Sequence, residues 1–172
     1  MAAASDPIEE FTTLARQFVS VVEDATADAE PGAVGLLAEL IARLYAAGMR
    51  LPDVEPSDAA DPASLITDVH GETVRRRLGD LFGGERRQDY DFVVSEDNED
   101  SRGGWLTDDL YDIWGDLKDG LLLLDAGVNE KDVIWEWRFS FWTHWGAHAV
   151  GALHLMHVLY GDGTMEGMEY KV

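Results

Sequence analysis

One stretch limits the fold more than any other. From Asn129 to Tyr160 the chain carries four of its six tryptophans and four of its five histidines, and no proline interrupts it. Asn129 is a good helix N-cap, with Glu130 and Asp132 in the first turn, where carboxylates complement the helix dipole. At about 100° per residue, Ile134, Trp137, Phe141, His144, His148, Ala152 and Leu155 share one face. Trp135, Phe139, Trp142, Gly146, Ala149, Leu153 and Met156 share roughly the opposite face. Only Glu136, Ser140, Thr143 and His154 make a polar strip. A helix that is apolar on both sides is a buried one. The spacing therefore predicts one long buried C-terminal helix at the centre of an all-α bundle. Glu136, Arg138, His144 and His148 make it too polar to cross a membrane. Gly146, Ala147, Ala149, Gly151 and Ala152 thin its middle, so another helix can approach, and Gly146→Leu is expected to overpack it by about 1–3 kcal/mol.

The rest of the chain supplies helices to pack around it. Its 172 residues suit one domain, expected over 6–160, with flexible tails at 1–5 and 161–172. Asp6 caps a first helix, with Pro7 at its first position and Ile8, Phe11, Leu14, Ala15, Phe18, Val21 and Val22 as its stripe, fading at Asp24. A second runs from about Ala33 to Ala47, with Gly48 as its C-cap. Leu51 to Pro62 reads as an exposed connector. Val74, Leu78, Leu81 and Phe82 mark a short third helix, with His70 before it in a loop. Gly84 to Gly104 is expected to be irregular, Asp91 to Ser95 being the only strand candidate. Thr107 is the expected cap of a fourth helix, whose stripe is Leu110, Ile113, Trp114, Leu117, Leu121 and Leu124 and whose end is Gly127. A short link makes helices four and five antiparallel neighbours. The expectation is a compact bundle of about five helices.

Two segments together resemble one known family. DDLYDIWGDLKDGL (Asp108 to Leu121) is followed by WEWRFSFWTHWGAHAVGALHLMH (Trp135 to His157), and Asp89-Tyr90 precedes both. The pattern is similar to that of a bacterial family described only as domain of unknown function 5063, specifically over about the last half of the chain. The resemblance implies an all-helical domain. It implies no activity, substrate or catalytic residue.

Composition removes several function classes. The chain has no cysteine, which excludes thiolate metal sites, disulfides and thiol nucleophiles. No charged-then-apolar leader opens it, so a cytoplasmic, bacterial-type protein is expected. A net charge of −21 opposes binding to nucleic acid or to an anionic membrane. Such a surface is expected to solvate the protein, and a basic protein partner is the interaction it favours. Imitation of nucleic acid is a sharper reading, weakened because the acids are spread over loops. Whether the protein is a monomer or a homodimer is not legible. Five arginines, Arg75, Arg76, Arg77, Arg86 and Arg87, cluster around helix three and are expected to pair with neighbouring acids.

One polar constellation remains. His144 and His148 are four apart, the spacing that places two imidazoles on one metal. Asp109, Asp112 and Asp116 on the preceding helix are available carboxylates, as in bundle metal sites. Arg138 lies between Trp137 and Phe139 and needs a carboxylate if buried; Asp112 or Asp116 is the expected partner, then Asp89. The candidate ligand-binding residues are thus Arg138, His144, His148, Asp112 and Asp116, with His144 and His148 as metal ligands. No cofactor is required by any motif, a divalent metal being the alternative. The primary expectation is a non-enzymatic interaction or accessory protein. The second is a bundle that binds a divalent metal or small anion between helices four and five. No nucleophile elbow, and no Glu-x-x-Glu followed by Glu-x-x-Asp magnesium arrangement, is present to argue for a triad or a pyrophosphohydrolase.

Overall fold

The chain places its apolar stripes on helices that meet around one core, as seen in a computed structural model that describes residues 6–25, 33–58, 63–82, 89–93 and 101–164. Among these residues there are six helices: α1 (Pro7–Glu23), α2 (Ala33–Gly48), α3 (Asp68–Leu81), α4 (Leu106–Asp125), α5 (Glu130–Thr143) and α6 (Trp145–Thr164). Of the tails expected at 1–5 and 161–172, residues 1–5 and 165–172 lie outside the described residues, while α6 continues through 161–164.

α4 packs against α1, α3, α5 and α6, and α6 also packs against α2. The core joins Phe11, Phe18, Leu37, Ile41, Trp114 and Leu117 to the aromatic residues of α5 and α6. α1 starts as its sequence dictates: the Asp6 side chain accepts from the Ile8 amide, and Pro7 takes the first helical position. Gly127 closes α4 with φ 80°. The Val128 amide reaches the Leu123 carbonyl at 3.0 Å and the Gly127 amide reaches Leu124 at 3.0 Å, the Schellman pattern that needs a left-handed residue. That turn sends α5 back along α4.

Four expectations change. The long helix is two helices. His144 has φ −144° and ψ −89°, outside any helical region, and separates α5 from α6. No proline causes this. The chain folds back so closely that a Cβ on Gly146 would collide with the Phe141 carbonyl oxygen. In an unbroken helix Trp145, Ala149 and Met156 would drift about 80–120° from Trp137. With the break, Trp137, Phe141, Trp145, Ala149, Ala152 and Met156 are all buried. The other face is not: Phe139 and Trp142 are 50% and 61% exposed, so burial all round does not hold.

Second, residues 89–105 are not wholly irregular. β1 (Asp89–Val93) pairs antiparallel with β2 (Ser101–Trp105), Asp89 opposite Trp105. Third, β2 runs directly into α4, so Trp105 and not Thr107 is its N-cap, without a side-chain bond. Fourth, Gly48 is the last residue of α2 and a packing position: a Cβ there would meet Phe141 Cδ2 at 2.8 Å. No described helix is long and apolar enough to cross a membrane.

Candidate functional site

α4 and the α5–α6 junction run side by side in opposite directions, and their polar residues meet in antiparallel register. Trp137 Nε1 donates to the Asp116 carbonyl at 3.3 Å. His144 Nδ1 lies 2.8 Å from Asp116 Oδ2. One turn on, His148 Nδ1 lies 2.7 Å from Asp109 Oδ1, and its Nε2 is 3.5 Å from Asp112 Oδ2. The two imidazoles meet edge to face, 4.8 Å between centroids. One ligand atom from each of Asp112, His144 and His148 falls within 4.8 Å of the others.

The helix break builds this arrangement. His144 is the junction residue itself, and α6 starts immediately after it, with His148 in its first turn. The cluster is neither an enclosed pocket nor dry core. The His144 side chain is about half exposed, whereas that of Asp109 is only 3% exposed. A carboxylate that buried requires a partner, and His148 provides one. The hydrogen bond that His148 donates to Asp109 raises the His148 pKa, with burial opposing it and the charges of Asp112, Asp109 and Asp116 adding to it. Burial raises Asp116 above the usual carboxylate range, the bond from His144 offsetting part of that. A field that favours imidazolium also favours a bound cation.

Geometry assigns the ring nitrogens. Carboxylate oxygens accept, so each Nδ1 donates; in the neutral ring Nε2 then carries the lone pair, that of His148 beside Asp112 Oδ2 at 3.5 Å. A carboxylate behind a histidine in this way fixes ring orientation and tautomer at metal sites. Tetrahedral ligands at about 2.0–2.1 Å from an ion stand roughly 3.4 Å apart, so an ion would draw these three donors slightly inwards.

Arg138 does not join them. Its guanidinium reaches Asp53 after α2 at 3.2 Å, and Asp53 is 84% exposed. The expected pairing with Asp112 or Asp116 is overturned because the junction turns those acids toward histidines, while Arg138 is free to reach solvent. Asp89 lies in β1, where side chains are outside the described residues. Of the five candidates, Asp112, Asp116, His144 and His148 are brought together.

The sequence offers Asp109 as an available carboxylate but not as a candidate ligand, and it does not single out Glu23, which lies outside the cluster. Asp109 follows Leu106 by three and precedes Ile113 by four, so it sits on the apolar stripe of α4. An acid in that phase is the readable signal. Glu23 carries no such signal. Its Oε1 accepts from Trp114 Nε1 at 3.2 Å and lies 3.1 Å from His70 Nε2 and 2.9 Å from Lys118 Nζ. Arg77 donates to its backbone carbonyl. His70 is therefore in the first turn of α3 and not in a loop. The other described arginines of that cluster are also matched, Arg75 with Asp108 at 2.6 Å and Arg76 with Asp80 at 3.5 Å.

Comparison with known proteins agrees with the fold. A family model described as domain of unknown function (DUF5063) matches residues 2–161. The chain is also similar to the crystal structure of protein BF1032 from Bacteroides fragilis, with 23% identity and a TM-score of 0.75 over 90% of this chain and 95% of that one. A comparison with curated proteins finds no match.

Proposed function

The chain belongs to the domain of unknown function 5063 family, which assigns no chemistry, and we propose that it binds a divalent transition metal through His144, His148 and Asp112. One observation carries this reading: both imidazoles engage a carboxylate through Nδ1, which directs both Nε2 lone pairs away from it. Asp109 and Asp116 then orient the ligands, and Asp112 supplies the oxygen donor beside His148 Nε2. Two nitrogens and one oxygen suit zinc or a borderline metal such as iron or cobalt and leave coordination positions open. The anion-binding alternative loses its cation, since Arg138 faces Asp53.

Metal analysis of purified protein, with calorimetric titration of zinc and cobalt, tests the proposal. Stoichiometric binding is expected, together with a melting temperature that rises with metal concentration. Both should be lost in His144→Ala/His148→Ala. If that double variant binds metal as the parent does, the site is not a metal site.

A second reading is an accessory protein that meets a basic partner through its acidic surface. The observation favouring it is the exposed pair Phe139 and Trp142 on a chain of net charge −21, since aromatic residues concentrate at interfaces.

A further inference from the structure

Building on the metal reading, we infer that the open positions of this centre accept an uncharged nitrogen- or oxygen-donor ligand and reject anions such as phosphate esters. Three carboxylates, Asp109, Asp112 and Asp116, surround the two imidazoles. A dication offsets two of them, and neutral imidazoles add no charge, so the loaded centre keeps one net negative charge. The nearby cations are engaged elsewhere: Lys118 with Glu23, Arg75 with Asp108, and Arg138 with Asp53. The ion pairs described for Asp112 and Asp116 are with imidazoles alone.

Phosphate sites differ in kind. They present arginine forks or an unopposed helix N-terminus. Here the N-terminus of α6 abuts the C-terminus of α5 at His144, so the partial negative charge of one end offsets the partial positive charge of the other. An incoming anion therefore meets a local negative excess on a molecule that is already strongly negative. One unit charge at about 6 Å in a half-exposed site changes anion binding about tenfold.

The experiment uses cobalt-loaded full-length protein and its visible d–d absorption. Imidazole and inorganic phosphate are titrated at fixed ionic strength and normalised to the same ligands on free cobalt. Imidazole should perturb the spectrum at a concentration at least about tenfold below phosphate. Asp116→Asn keeps an oxygen for the His144 Nδ1 proton but removes a charge, and should narrow that gap about tenfold. Asp109→Asn provides the same test at the other imidazole. Phosphate capture by the parent protein as readily as imidazole overturns the inference and leaves the metal site standing. An unchanged gap in both variants overturns its electrostatic cause. Failure to load cobalt overturns the metal site and this inference together.

Discussion

Gly115 and Gly120 lie on the same helix and differ in what surrounds them, so one added methyl should act with opposite sign at the two positions. At Gly115 nothing lies within 4 Å of an added Cβ. Alanine there gains only helix propensity, about 0.5–1 kcal/mol. At Gly120 the same methyl would overlap Nε1 and Cε2 of Trp137 and stand 2.8 Å from its Cζ2. The indole has little freedom to move. It is 1% exposed, donates to the Asp116 carbonyl at 3.3 Å and packs on the Phe11 ring at 5.1 Å. Overpacking costs about 1–3 kcal/mol, and the lost hydrogen bond about 0.5–1.5 kcal/mol. After the propensity gain, Gly120→Ala should lose about 1–3 kcal/mol. For a chain of this size the two variants should melt on the order of 10 °C apart. Urea unfolding followed by tryptophan fluorescence and far-UV circular dichroism at one pH and salt gives both values. If Gly120→Ala is as stable as Gly115→Ala, Trp137 is not seated against α4 and the packing of α5 described above is wrong.

Two further outcomes follow from side chains outside the aspartate–histidine cluster. Glu23→Ala should destabilise by about 1–3 kcal/mol, because it strands the indole N–H of fully buried Trp114; equilibrium unfolding at pH 7 checks this, and a loss below 0.5 kcal/mol would show that the indole finds another acceptor. Asp132 is held below the usual carboxylate range by the Ser57 amide first and its hydroxyl second, so its contribution is present above the unfolded pKa of about 3.9 and is lost as pH falls through the lower folded value. The melting temperature of Asp132→Asn should thus lie below that of the parent at pH 6 and converge with it as the pH drops below 4; a gap independent of pH would exclude ionisation as the cause.

Local chemistry was legible at some helix ends and not at others, the expected cap Thr107 lying inside α4. Asp6, Pro7 and Gly127 announce a helix start and a left-handed stop by their own conformational limits, and the structure uses them so. That the helix-four aspartates are available to the two histidines followed from two antiparallel helices joined by a short turn, whereas the Asp116–His144 contact itself was not foreseen, Asp116 being an expected partner of Arg138. The break at His144 was not legible. Helical periodicity registers which face is apolar, but both segments of α5 and α6 are apolar on two faces, so a change of direction leaves the pattern intact. Only the collision awaiting a Cβ at Gly146 exposes it. Arg138 was misassigned for the same reason: a helix buried all round would have needed an internal counterion, whereas a half-exposed one reaches a loop carboxylate. The contacts of Glu23 join residues 47 to 95 positions distant, and no short pattern encodes them.

The junction at His144 has one more consequence. In an uninterrupted helix, the bite between imidazoles four residues apart is dictated by the backbone repeat and can change only through rotamers. Here His144 is the joint and His148 rides on the segment beyond it, so the ψ angle of His144 joins the rotamers in setting their separation. On the proposed metal reading, substitutions that tilt α6, even where they touch neither imidazole, would change the spacing of the two donors, so the inner lining of the bundle would bear on which ion fits.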